Sequence, residues 1–199
     1  VLFRSDSSNN TTLESFSVTV TDNTDPTITC AADQTASATN GSCDAAVTVV
    51  APTTADNCAV TVTNDFNGTA DASGTYPIGT TTVVWTVTDN SGNIATCSMD
   101  ITVTDNEAPN AVCQDITASV DANGNLIITG DDVDGGSTDN CTGMTLSVSP
   151  NTFDCTDTGT TVTVTLTATD AAGNTGTVTR TVNVEDTTEI GRASCRERV

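Results

Sequence analysis

Eight carboxylates recur at matched places along the chain and are its clearest candidates for chemistry. Asp22 and Asp25, Asp56 and Asp89 return as Asp105 and Glu107, Asp139 and Asp170, with offsets of 83 for Asp22 and Asp56, 82 for Asp25 and 81 for Asp89. Grouped carboxylates with Asn side chains and loop carbonyls can supply the six to eight oxygens that calcium takes. The same residues also form Asx turns, in which the side chain caps its own backbone. Both readings stand at this stage; under the first, calcium neutralises and stiffens the joint between repeats, with Asp105 to Pro109 as its centre. Paired carboxylates can also hydrolyse glycosides. Aromatic residues are only 3% of the chain, however, so little could stack on a sugar. With no His and no Lys, neither a His-based triad nor a Lys nucleophile can be built, and the chain reads as non-catalytic.

Cysteine is the second reactive type. Eight are present, with no Cys-x-x-Cys spacing and no His, which favours a disulfide framework in an oxidising compartment over a zinc site. One repeat holds Cys30, Cys43, Cys58 and Cys97. The next keeps Cys113 and Cys141 but has Leu126 and Val178 at the second and fourth positions. Joint loss and joint retention predict the pairs Cys30 with Cys58, Cys43 with Cys97 and Cys113 with Cys141, leaving Cys155 without a partner.

These residues sit on a duplicated frame. Asp22-Asn23-Thr24-Asp25-Pro26 recurs as Asp105-Asn106-Glu107-Ala108-Pro109, and Asp56-Asn57-Cys58 as Asp139-Asn140-Cys141. Thr86 to Asn93 returns as Thr167 to Asn174, so one unit is about 82 residues. The chain divides into residues 23–105 and 106–188, the first and second repeats. Residues 6–22 precede them, and Phe16 to Thr21 aligns with Met99 to Thr104 as the last strand of a preceding repeat. Val1 to Ser5 and Glu189 to Val199 hold four of the five Arg residues and read as translated adapter sequence. Residues 6–188 then carry 24 acidic residues and one basic residue, a net charge of −23 against −21 for the whole chain. That charge repels nucleic acid and anionic membrane surfaces. No stretch is long and apolar enough to insert into a membrane as a helix.

The elements that position the candidates are strands. Val162, Val164, Leu166 and Ala168 alternate with threonines, as do Val83, Trp85 and Val87, the period of two of a half-buried strand. Cys97, Met99, Ile101 and Val103 share a face, matched by Val178, Arg180, Val182 and Val184, which puts Arg180 on an inward phase. Turn signals such as Asp-Asn-Ser-Gly-Asn separate the strands. The expected fold class is all-β, tandem immunoglobulin-like β-sandwiches of about seven strands each.

Pro26 to Cys30, Gly41-Ser42-Cys43, Ala55 to Cys58, Gly74 to Thr80, and Thr88 to Asn93 with Ala95-Thr96-Cys97 resemble the HYR (hyalin repeat) domain in order and spacing. The second repeat is similar to the divergent HYR-like repeats of long bacterial surface proteins, without the second and fourth cysteines and the Tyr-Pro-x-Gly turn. The resemblance implies an immunoglobulin-like fold, a secreted or cell-surface location, and a role in adhesion or surface architecture without catalysis. The expected partners are neighbouring repeats of the same chain and a cell-surface protein or glycan, and calcium is the one cofactor considered. The alternative is a ligand-binding module accessory to a secreted enzyme or adhesin, for which the unusual loop Gly130 to Gly136 is the candidate.

Overall fold

The structure is a computed structural model that describes residues 2–5, 11–14 and 17–187. Strands β1 (Leu2–Ser5) and β2 (Thr11–Glu14) form an antiparallel hairpin. The first repeat then supplies β3 (Thr27–Thr29), β4 (Gln34–Ser37), β5 (Asp44–Val47), β6 (Thr53–Ala55), β7 (Val60–Asn64), β8 (Gly74–Pro77), β9 (Gly79–Asp89) and β10 (Ile94–Thr104). One sheet has the order β4-β10-β9-β7, with β4 parallel to β10 and β7 antiparallel to β9; β3 pairs with β6 and β5 with β8.

The second repeat reproduces this plan with β11 (Ile116–Ser119), β12 (Asn125–Ile127), the single helical turn α1 (Gly130–Val133), β13 (Thr145–Ser149), β14 (Thr152–Asp154), β15 (Thr161–Thr169) and β16 (Thr175–Glu185). Its sheet runs β11-β16-β15-β13, β12 pairs with β14, and the Thr27 to Ala55 pairing survives as the bridge Asn110 to Thr138, the same pair shifted by 83. A parallel first strand against the last, a central antiparallel hairpin and a second small sheet are the immunoglobulin-like sandwich arrangement. The fold is all-β, as expected.

By contacts, the chain divides into two compact units that do not coincide with the repeats. The first comprises Val1–Ala32, Val49–Ala72 and Thr82–Met99; the second comprises Asp33–Thr48, Ser73–Thr81 and Asp100–Val199.

Period-two alternation correctly identified the inner faces. Val83, Trp85, Val87, Ile101 and Val103 are buried, and in the second repeat Val164, Leu166, Val182 and Val184 form one core with Ile128, Val133 and Phe153. Arg180 departs from its phase and is exposed, its Nη1 donating to the Thr179 carbonyl oxygen at 2.9 Å. The reason is local, because β11 begins opposite Val182 and leaves the edge of β16 uncovered at Arg180. A second departure concerns the strand predicted at Phe16 to Thr21: residues 17–21 carry no strand, and no described strand pairs with them. A strand without a neighbour has nothing to receive its backbone groups. The segment 189–199, read as adapter, lies outside the described residues.

Candidate functional site

The eight predicted carboxylates separate into three kinds. Asp22 and Asp56 approach one another together with the Cys58 sulfur, all within 4.8 Å, and Asp105, Asp139 and Cys141 do the same in the second repeat. In both places the Asp before the cysteine makes the same turn, Asp56 Oδ2 accepting from the Cys58 amide at 2.9 Å and Asp139 Oδ2 from the Cys141 amide at 3.0 Å. The other oxygen, Oδ1 of Asp56 and of Asp139, is buried with no hydrogen-bond partner among the described residues. Asp22 accepts from the Thr24 amide and from Asn57 Nδ2, and Asp105 from the Glu107 amide. The Cys58 thiol also donates to Asp22, which holds that carboxyl below its usual value and pushes the thiol up to about 11.

Asp89 and Asp170 form the second kind. Asp89 Oδ1 accepts from the Ser91 and Asn93 amides and Oδ2 from Asn93 Nδ2; Asp170 makes the same bonds to Asn174. Burial pushes both carboxyls up, but the side-chain and backbone hydrogen bonds outweigh it and leave them below the usual range. Both oxygens are thus spent on a turn. The residues that reading the carboxylates alone overlooked are Asn93 and Asn174. Asn93 Nδ2 also donates to the carbonyls of Asp22 and Thr24, and Asn174 Nδ2 to that of Asp105, so each fastens the preceding linker to the last hairpin. The recurring Asp-x-x-Gly-Asn was the available signal, with Gly92 and Gly173 at φ 94° and 93° where a side chain would be strained.

Asp25 and Glu107 are the third kind, and neither joins a cluster. Asp25 is exposed, while Glu107 Oε2 accepts from the Gly41 amide at 2.6 Å.

The disulfides correct the expected pairing. Cys30 is bonded to Cys97 and Cys43 to Cys141, while Cys58 is an exposed free thiol and Cys113 a buried one. Register explains why the expected short bridges do not form. Thr27 faces Ala55 in an antiparallel pair, so Cys58 falls level with residue 24, six residues from Cys30 and about 20 Å along the strand. A disulfide needs Cα atoms within about 7 Å. Cys113 and Cys141 are offset in the same way about the Asn110 to Thr138 bridge. Cys113 is free because Val178 stands where Cys97 stands in the first repeat. Cys155, expected to lack a partner, is disulfide-bonded.

Around the Cys43 to Cys141 bond, all within the second compact unit, the turn Asn40 to Cys43 is seated on Glu107 and Asn140. Asn140 Nδ2 donates to the Ser42 carbonyl at 3.1 Å, and nearby Asn106 Nδ2 donates to Ser37 Oγ at 3.0 Å.

The loop Gly130 to Gly136 is consumed by the fold. Asp132 accepts from the Thr129 amide and hydroxyl, Asp134 from the Ser137 amide and hydroxyl, and Val133 is fully buried. A Cβ on Gly130 would meet Leu146 at 2.7 Å.

Among solved structures, human mucin-like protocadherin EC1-2 is similar at 11% identity and TM-score 0.45, over 80% of this chain and 98% of that one. Drosophila N-cadherin EC1-4 is similar at 15% identity and TM-score 0.41 over 82% of this chain, which spans half the length of that fragment. Sidekick-1 immunoglobulin domains 1-4 are similar at 12% identity and TM-score 0.42, over 81% of this chain and 49% of that one. Residues 21–103 match the family model described as the HYR domain.

Proposed function

We propose that the chain is a non-catalytic extracellular repeat module that serves as a spacer in adhesion or surface architecture, with its linker carboxylates holding calcium. The observation that carries the calcium reading is the buried, unpartnered Oδ1 of Asp56 and of Asp139, each beside a second carboxylate at the same place in its repeat. A desolvated carboxylate oxygen costs free energy unless something pairs with it. Asp22 with Asp56 and Asp105 with Asp139 would hold the ion, with carbonyls and water completing a shell that two carboxylates cannot fill alone. Cys141 is in a disulfide and offers no thiolate, so an oxygen-seeking hard cation suits the pair better than zinc.

The spacer reading is supported by where the polar loops spend their groups. The Asp89 and Asp170 turns and the Gly130 to Gly136 loop satisfy themselves or the linker, and the HYR match points the same way. Scanning calorimetry in EDTA and in millimolar calcium tests the ion. Stabilisation should reach about 2.7 kcal/mol when free calcium is a hundred times its dissociation constant. An unchanged Tm removes calcium from the reading. Specific binding on a glycan array would overturn the spacer in favour of a recognition module.

A further inference from the structure

We propose that Cys58 is the receiving half of a disulfide between repeats, closed by the turn of another copy of this repeat carrying the cysteine equivalent to Cys43. This deepens the spacer reading, and because the Cys58 sulfur lies within 4.8 Å of Asp22 and Asp56 its test is made without calcium.

Cys58 and Cys141 are equivalent positions, each preceded by Asp-Asn and each with its amide held by the Asp two residues before it, at 2.9 and 3.0 Å. Their surroundings differ. Cys141 is only 7% exposed and is bonded to Cys43, whose turn is seated by the Gly41 amide on Glu107 and the Ser42 carbonyl on Asn140. Cys58 is an exposed free thiol, and Asn57 beside it, the counterpart of Asn140, is also exposed and turned to Asp22. The first repeat therefore presents the seat that the second repeat has filled.

The cysteine inventory fixes the direction. A repeat gives from the Cys43 position and receives at the Cys58 position. The second repeat has Leu126 at the giving position, so the chain holds two receivers, Cys58 and Cys141, and one giver, Cys43, already used. The partner of Cys58 is accordingly a giver from another copy. A contact between two different surfaces of one module propagates head to tail. The seat is not identical, since at the offset of 83 that aligns Asp22 and Pro26 with Asp105 and Pro109 it is Thr24, and not Asp25, that stands where Glu107 does, and the incoming turn forgoes that one contact. Closure converts two thiols into one disulfide. The two hydrogens pass to a small disulfide such as oxidised glutathione, which is cleaved into two thiols.

The test frees the giver within the chain as it exists. Cys141→Ser, incubated with a glutathione redox mixture in EDTA, should give disulfide-linked multimers on non-reducing gels. Peptide mapping should join Cys43 of one chain to Cys58 of another, and Cys58→Ser with Cys141→Ser should remain monomeric. Multimers joined only Cys58 to Cys58, or a folded monomer with both thiols capped by glutathione, would overturn the proposal. Should the variant not fold, the wild-type chain is treated with the peptide spanning residues 37–47, its single cysteine activated as a mixed disulfide. It should modify Cys58 about tenfold faster than a peptide of scrambled order, the gain that roughly 1.4 kcal/mol of docking would bring; equal rates would equally overturn it.

Discussion

Asp89 and Asp170 show how a single carboxylate can organise the joint between a hairpin and the linker before it. Each binds its own turn through both oxygens and orients the Asn whose amide donates to the linker carbonyls. The charge matters because the bonds within the turn, including the one that orients the Asn, are donated to the ionised carboxylate. Since the folded pKa lies below the ordinary value of 3.8, the unfolded chain binds more protons as acid is added. The contribution is therefore complete above that value and is lost as pH falls through the folded pKa. Asp89→Asn should lower Tm at pH 6, and its difference from wild type should shrink as pH is taken from 4 towards 2. A difference that stays constant across that range would show that shape, and not charge, is what Asp89 supplies. The carboxylate clusters were only half legible at this scale: the sequence located Asp22, Asp56, Asp105 and Asp139 but also enlisted Asp25, Asp89, Glu107 and Asp170. Which oxygens a turn consumes depends on backbone geometry that residue type does not disclose.

Strands were readable because burial on one face leaves a period of two, and Val83, Trp85 and Val87 carry it plainly. Disulfide pairing was not, for a reason that belongs to the repeat itself. Inferring pairs from cysteines lost together assumes that each bond closes within one repeat. Cys43 instead bonds to Cys141 of the next repeat, so Leu126 leaves Cys141 unaffected, while Val178 leaves Cys113 alone. The β3 to β6 register would have excluded Cys30 with Cys58 had it been known. The two connectivities differ at Cys58: both place Cys97 in a bond, but only the expected pairing places Cys58 in one. The Cys30 to Cys97 bond ties the chain just after β3 to the middle of β10 across a separation of 67 residues, worth about 4 kcal/mol on the chain-entropy model. Cys97→Ser should therefore lower Tm by more than about 15 °C. Cys58→Ser, removing an exposed free thiol, should change stability by no more than about 0.5 kcal/mol. Chemical or thermal melts of the two variants decide it, and equal losses would restore the shorter bridge.

For the whole molecule the governing quantity is charge. The chain carries a net −21 with no Lys, and among the described residues the carboxylates mostly accept from backbone amides and hydroxyls. Hydrogen bonds hold Asp89, Asp115, Asp121, Asp132, Asp134, Asp154 and Asp170 individually ionised, with Arg180 adding a little at Asp115. Local bonds thus stabilise each charge while the long-range field opposes keeping so many in a folded chain. The two effects respond differently to salt. Bonds at contact distance are little screened, whereas repulsion across the surface falls steeply as the Debye length drops from about 30 Å at 0.01 M to about 8 Å at 0.15 M. In EDTA at pH 7, sodium chloride raised over that interval should therefore increase Tm by several degrees and then level off. A Tm that falls with salt would mean that attractive pairs dominate the surface. A flat response would mean that the extended conformations of the unfolded chain already carry the same repulsion as the folded one. On the proposed calcium reading, calcium added at matched ionic strength should then give a further rise, because an ion held at Asp22 with Asp56 and at Asp105 with Asp139 would act where sodium screening does not.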